Sequence, residues 1–238
     1  METYYYSHLP FVQSRRELFL SLPSLWGSCG AVIFDFDGVL ADSEPFYRNT
    51  WNDVLRPAEP IPEEEYWYRW SFMGEAEQHL SEMGFSESQQ RALKTVQKKL
   101  YGNLCRAGAV PLFPESPALL EWVLDRKPCI IASNTDSELV SEVLQRGGAP
   151  SPPIVGGEGM KHKPFPDIFL KASDLLGFPP EECLVVEDAW KGLRAAASGG
   201  FPAILVRNQR NFRFPAVADG EANGLSDLLH QWKAGHDR

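Results

Sequence analysis

Ala31-Val32-Ile33-Phe34-Asp35-Phe36-Asp37-Gly38-Val39-Leu40 opens the readable pattern of this chain. Its first four residues are apolar without interruption, as a strand covered on both faces requires. Similar runs follow at 129–133, 183–187 and 203–206, and Ile154-Val155 is a shorter fifth. Between them, 116–126, 136–146, 166–176 and 190–198 have helical spacing. Gly147-Gly148, Gly177 and Gly199-Gly200 are suitable helix stops. Buried strands alternating with helices predict an α/β fold, a Rossmann-like parallel sheet with helices on both faces. Such sheets bind ligands at the carboxyl ends of their strands. Polar residues gather at those ends: Asp35 and Asp37, Ser133 and Asn134, Glu187 and Asp188.

Residues 43–110 break the alternation. They hold helical stretches at 44–55, 63–72, 75–83 and 87–105 and no convincing strand. The expected organisation is a small inserted α-helical cap domain at 43–110, a core domain of 31–42 plus 111–238, and an N-terminal extension at 1–30. Within that extension Arg15 and Arg16 precede an apolar stretch at 18–26, a faint likeness to a secretory leader. Glu17 and Pro23 interrupt the likeness, and the stretch is far too short to span a bilayer. The expectation is an extension that packs on the domain or frays.

The chain has 238 residues, 43% of them hydrophobic, enough for a core with one insertion. The formal net charge is -9 and there is no Lys/Arg run, which argues against a nucleic-acid partner. Cys29, Cys105, Cys129 and Cys183 form no C-x-x-C pair and read as core thiols in a reducing compartment. The five histidines lack helical ligand spacing, so a histidine metal site is not expected. The chain is read as soluble and cytoplasmic, without a membrane partner, as a monomer or small homo-oligomer.

Two acids at i and i+2 after a buried strand can put a carboxylate and a neighbouring carbonyl oxygen on one hard cation. Gly38 permits the sharp turn this needs. A carboxylate at Asp35 can attack phosphorus to give an acyl phosphate, and Asp37 can protonate the leaving oxygen and then activate water. The alternative is an ordinary strand-to-loop transition with solvated acids. Ser133-Asn134 can hold phosphoryl oxygens, or can cap the helix beginning near Asp136. Lys163, in Lys163-Pro164-Phe165-Pro166, can neutralise nucleophile and phosphate, or be a solvated loop charge. Glu187-Asp188 can supply a second metal carboxylate, or be an acid pair favoured at a helix N-terminus. All four in this order, each near a strand end, are not easily explained by chance.

The combination resembles the haloacid dehalogenase superfamily, in its helical-cap branch with beta-phosphoglucomutase-like and phosphoglycolate phosphatase-like members. DFDGVLADSEP is similar to the first motif, Ser133 in IIASNTD to the second, Lys163 in KPFPDIF to the third, and Asp188 in VVEDAWKGLRAA to the fourth. The resemblance spans about residues 31–207. It implies a phosphatase acting on small phosphorylated metabolites, with Asp35 as nucleophile, Asp37 as acid/base and Lys163 as the catalytic cation. It further implies Mg²⁺ held by the Asp35 carboxylate, the Asp37 carbonyl oxygen and Asp188. Ser133, Asn134 and Lys163 would then bind phosphate, with Gly38, Glu44 and Glu187 in support.

Asp37 argues against the dehalogenase and phosphonatase members of that superfamily, which replace this residue. A sugar phosphomutase is the nearest competitor. Tyr47 stands where such relatives carry histidine, and Glu77 where they carry a phosphate-binding arginine. A non-catalytic phosphate-binding protein is disfavoured, because every acid and the lysine needed for turnover are present. His162 replaces the glycine usual before the third-motif lysine. The aromatic stretch 66–72 reads first as cap packing; its alternative is a stacking surface on which Arg69 meets a second anion. Asp42 and Glu44, where the insertion leaves the core, either orient the loop or solvate a hinge.

Overall fold

The computed structural model describes residues 20–215 and 217–236. Helix α1 (Leu22–Ser28) leads into strand β1 (Ala31–Phe34). The insertion follows as α2 (Glu44–Leu55), α3 (Glu63–Glu65), a π-helix (Tyr66–Met73), α4 (Ala76–Glu82) and α5 (Glu87–Arg106). The chain continues as α6 (Ser116–Leu124), β2 (Cys129–Ala132), α7 (Ser137–Arg146), β3 (Ile154–Val155) and α8 (Asp167–Leu176). It closes with β4 (Cys183–Glu187), α9 (Trp190–Gly199), β5 (Ala203–Val206), β6 (Gly220–Ala222) and α10 (Leu225–His236).

The strands form one parallel sheet in the order β3-β2-β1-β4-β5-β6. The uninterrupted apolar runs have a direct explanation. Val32 and Phe34 of β1 enter one hydrophobic cluster, while Ala31 and Ile33 enter another on the opposite face. β2, β4 and β5 divide in the same way, as period-2 geometry demands of a sheet buried on both sides. From β1 the chain runs to β2 and β3 on one side, then crosses to β4 on the other. That reversal makes the carboxyl ends of β1 and β4 a switch point, where such sheets open a crevice.

Two elements lie beyond the expected alternation. β6 has no apolar run, and α10 buries Leu225, Leu228 and Trp232 against α1 and β6. The part of the N-terminal segment that is described is not frayed: Leu22, Leu25 and Trp26 are buried, and the Trp26 ring lies 4.8 Å from those of Trp122 and Trp232. Residues 1–19, with Arg15, Arg16, Glu17 and the first two residues of the leader-like stretch, lie outside the described residues. Among the described residues no helix is long and apolar enough to cross a membrane. All four cysteines are free and buried.

The insertion has its own small core of Trp51, Leu55, Ile61, Tyr66, Trp70 and Leu80. Its two connections to the sheet lie side by side: Asp42 N–H donates to Pro111 O at 2.9 Å and Phe113 N–H to Leu40 O at 3.0 Å. The stretch expected as a helix over 63–72 is mostly π-helical, ending at Gly74 with φ of 82°.

Candidate active site

Three strand ends bring the predicted residues together. Asp35 directly follows β1, and its N–H donates to Val186 O at 2.9 Å, which fixes it beside the end of β4. Glu187 ends β4 and Asp188 follows it. Lys163 reaches in from the loop between β3 and α8. Its Nζ donates to Asp35 Oδ1 at 2.5 Å, Glu187 Oε1 at 2.8 Å and Ala132 O at 3.1 Å, spending all three N–H bonds. The lysine side chain is 2% exposed and those of Asp35 and Glu187 8% and 1%, so this bridge is nearly dry. Burial alone would pull the Lys163 ammonium down, but Asp35 and Glu187 together hold it above its ordinary value. The reading of Lys163 as a solvated charge is excluded.

The acids outnumber that single ammonium. Ligand oxygens of Asp35, Glu187 and Asp188 lie within 4.8 Å of one another. Burial pushes the Asp35 carboxyl up to about 8 against the pull of Lys163, with Glu187 and Asp37 adding to the rise. Burial, then Glu187 and Asp35, drive Asp188 well above the carboxylate range. Without a further cation the cluster therefore keeps a proton at neutral pH.

Hydrogen bonds decide which oxygens remain for a ligand. Both oxygens of Glu187 are engaged: Oε1 takes Lys163, and Oε2 accepts the N–H groups of Asp188 and Ala189 at 2.8 and 2.9 Å. Asp35 Oδ2 and Asp188 Oδ1 accept no hydrogen bond from a described residue. A divalent cation with a preference for hard oxygen donors fits this set, with Asp35 and Asp188 as carboxylate ligands and Glu187 holding the lysine.

Two glycines make room. Gly38 has φ of 84°, and a Cβ there would fall 2.2 Å from Asp188 Oδ2. A Cβ on Gly192 would fall 1.6 Å from Glu187 Oε1. Gly192→Ala is thus expected to evict the glutamate from Lys163. Turnover should drop by roughly 100-fold or more, the scale of losing one organised electrostatic group, as steady-state kinetics would read. Gly27→Ala, in α1, where a Cβ would meet nothing within 4 Å, is the comparison.

Asp37 is held apart from this cluster. Oδ1 accepts from Ser43 Oγ at 2.7 Å and Tyr101 OH at 3.3 Å; Oδ2 accepts from Ser133 Oγ and Thr135 Oγ1, both at 2.7 Å. Ser133 is wholly buried and directs its hydroxyl to Asp37, not to the cavity. Asn134 lines the cavity and accepts the Lys163 N–H at 3.2 Å, so it also shapes the lysine loop. Tyr47 OH lies 2.7 Å from Thr135 Oγ1, and its ring stacks on Tyr101 at 3.8 Å. Burial, then the charge of Asp37, holds both phenols well above their usual range, which keeps them neutral donors.

A cavity of about 280 Å³ lies between the insertion and the sheet, with Asp35, Lys163 and Glu187 on its wall. Trp51, Tyr66 and Trp70 serve twice, lining this space and packing the insertion's core. Glu44 also faces it, buried and accepting from Tyr66 OH at 3.3 Å; burial raises its carboxyl, with Lys191 opposing. Arg69 does not line this cavity: it is paired with Glu65, Glu75 and Glu82 at 3.3, 3.4 and 2.8 Å. The second-anion role considered for it is therefore withdrawn. Glu77 pairs with Lys94, Asp42 with Arg210, and His162 Nε2 stands 3.3 Å from Gly157 O, where it braces the loop before Lys163.

Several site residues escaped the sequence reading. Thr135 sits one position beyond Ser133-Asn134, and Lys191 and Gly192 sit one turn beyond Asp188. Asn208 and Asn211, whose amides reach Asp188, lie after β5 with no acid or glycine motif to mark them.

The haloacid dehalogenase-like hydrolase family matches residues 29–200. The chain belongs to this family of hydrolases. It is 26% identical over 189 residues to fructose-1-phosphate phosphatase YqaB of Escherichia coli, covering 74% of this chain and 95% of that one. It is 30% identical over 182 residues to a phosphorylated carbohydrates phosphatase of Thermotoga maritima, covering 73% and 83%. Its fold matches the crystal structure of CbbY from Rhodobacter sphaeroides in complex with phosphate. The TM-score is 0.72 at 23% identity, over 86% of this chain and 99% of that one.

Proposed function

We propose that the chain is a Mg²⁺-dependent phosphatase of small phosphorylated sugars and related metabolites, working through an aspartyl phosphate on Asp35. One observation carries the reading. On the wall of a cavity, a buried carboxylate with a free oxygen sits beside a buried ammonium, and a second carboxylate with a free oxygen, Asp188, lies within metal-ligand reach of it. The relatives named for phosphorylated carbohydrates support the substrate class.

Asp35 attacks phosphorus, the bond from phosphorus to the substrate oxygen breaks, and Asp37 gives that oxygen its proton. Water then loses a proton to Asp37 and attacks the same phosphorus, releasing inorganic phosphate and restoring the Asp35 carboxylate. Lys163 offsets charge on the nucleophile and the transferring group. When bound to Asp35, Asp188 and the Asp37 carbonyl, Mg²⁺ would screen the repulsion between an anionic nucleophile and an anionic substrate. Asp37 must exchange some of its four hydroxyl partners to reach the substrate. Two of them, Ser43 and Tyr101, belong to the insertion proposed as a cap, so movement of that segment alters the contacts of the acid. The cavity under the cap would hold the rest of the substrate.

The test is phosphate release from a panel of sugar and sugar-alcohol phosphates with Mg²⁺ or with EDTA. Turnover on at least one, abolished by EDTA, is expected. Isomerisation of a sugar phosphate without net release, or binding without turnover, would overturn the reading.

Proton linkage supplies a second check. The folded-state value of Asp35, about 8, lies above its unfolded one, so the native state binds an extra proton between about pH 4 and 8. Metal-free protein should therefore lose stability as pH rises through that window. Millimolar Mg²⁺ should flatten the slope, as melting temperatures at stepped pH would reveal.

A further inference from the structure

We propose that the loop 207–214, which follows β5, positions Asp188 in the metal site and is itself held in place by the inserted helices. The inference rests on the metal-centre reading given above and adds residues to it.

At its start the loop grips both sides of the site. Asn208 Nδ2 donates to Asp188 Oδ2 at 3.1 Å and to Gly38 O at 3.3 Å, so one amide ties the acid after β4 to the turn after β1. Asn211 Nδ2 donates to Asp188 O at 2.8 Å and to Val206 O at 3.0 Å. Between them the Asp188 side chain and backbone are both fixed. Asp188 Oδ1 is left free for a ligand.

The asparagines also lock one another. Asn211 Oδ1 accepts the Asn208 N–H at 2.8 Å, while Asn208 Oδ1 accepts the N–H groups of Arg210 and Asn211 at 2.9 and 3.1 Å. Arg207 staples the loop across its length, donating from Nη1 to Asn211 O at 3.0 Å and Phe214 O at 2.8 Å. Arg207 is anchored to β6 through Glu221 at 2.9 Å. Loop backbone polar groups are thus bonded to the loop itself, which stiffens the segment.

Its far end grips the insertion. The Phe214 ring lies 5.1 Å from both Tyr68 and Phe72 on the π-helix. The Arg210 guanidinium lies 5.3 Å over Trp67 and pairs with Asp42, at the connection to the insertion, at 2.6 Å. Phe214 and Arg210 are outside the set of metal-cluster acids, yet one stiff loop joins them to the amide that holds Asp188. Displacing the π-helix therefore displaces Asn208, and metal binding and the position of the insertion are coupled through a contiguous bonded network.

Mn²⁺ is the probe, with affinity measured by titration calorimetry on the full chain and melting recorded without metal. Asn208→Ser keeps an oxygen for the turn to residues 210 and 211 but withdraws the donor from Asp188. It should weaken Mn²⁺ binding by roughly 10- to 100-fold, the usual loss for a group that orients a metal ligand. Phe214→Ala, at the far end of the loop, should weaken it by several-fold. Both positions are only partly buried, so metal-free melting should stay within a few degrees of wild type. If Asn208→Ser melts early, Asn208→Thr takes its place. Wild-type Mn²⁺ affinity in either variant overturns the coupling. Absence of Mn²⁺ binding in the wild type overturns the metal-centre reading instead.

Discussion

Asp35→Asn is expected to abolish phosphate release while leaving the protein folded, with kcat lower by roughly 10⁴-fold or more, the scale of losing a covalent nucleophile. The amide keeps an oxygen to accept the Lys163 hydrogen bond, and Lys163 keeps Glu187 as its charged partner. What is lost is the anionic attacking atom. The variant also removes one of three buried, mutually repelling acids, so metal-free protein should melt no lower than wild type. Its pH-dependent loss of stability should be reduced, because the carboxyl with the value near 8 is gone. Kinetics and a melting series on the same preparation check both halves. Near-normal turnover would remove Asp35 from the mechanism.

Lys163→Met has the opposite balance. Met approximates the volume of lysine but cannot donate to Asp35, Glu187 or Ala132. With side chains this deeply buried, solvent offers little screening, and removing one partner strands the carboxylates. A destabilisation of about 3–5 kcal/mol is expected, with loss of activity. Because Asp35 and Glu187 then lack the ammonium bonded to them, added Mg²⁺ should raise the melting temperature of Lys163→Met more than that of wild type. Denaturant unfolding with and without Mg²⁺ measures both effects. A variant as stable as wild type would mean the lysine is not the buried counter-ion its contacts describe.

Much of this arrangement is legible in the residues themselves. β1, β2, β4 and β5 declare themselves because both faces are buried, so apolar residues run without alternation. The acidic candidates declare themselves because a carboxylate directly after such a run sits at a strand end, whereas Lys163, eight positions beyond β3, is marked only by its proline-flanked motif. β6 has no such mark: Glu221 between Gly220 and Ala222 points out to pair with Arg207. The partners of Asp37 were hidden for another reason. Ser43, Tyr101 and Thr135 converge on it from segments up to 98 positions away, and a hydroxyl carries no pattern that distinguishes a partner of a buried acid from a surface group. Ser133 shows the limit of motif reading, since its position fits a phosphate-binding role while its hydroxyl is spent on Asp37. Arg69 settles an alternative instead: with three glutamates within ion-pair reach it is a structural clasp, in line with the packing reading of its stretch.

The aromatic stretch illustrates how two physical demands can fall on the same residues. A small insertion needs bulky side chains to close its own core, and Trp51, Tyr66 and Trp70 do that. The same rings form one wall of the cavity, so truncating them confounds packing with recognition. Substrate preference is better probed at Lys191 or Glu44, which face the cavity without belonging to that core.

The most direct measurement is chemical trapping of the covalent intermediate. Wild-type enzyme turning over a sugar phosphate with Mg²⁺ is quenched in acid and treated with borohydride, which reduces an aspartyl phosphate to homoserine. Peptide mass spectrometry then locates the change. Homoserine at position 35, absent without substrate and absent in Asp35→Asn, is the expected result. Homoserine at another acid, or none while the dephosphorylated sugar is released in a pre-steady-state burst ahead of phosphate, would contradict the assignment of Asp35 as the nucleophile.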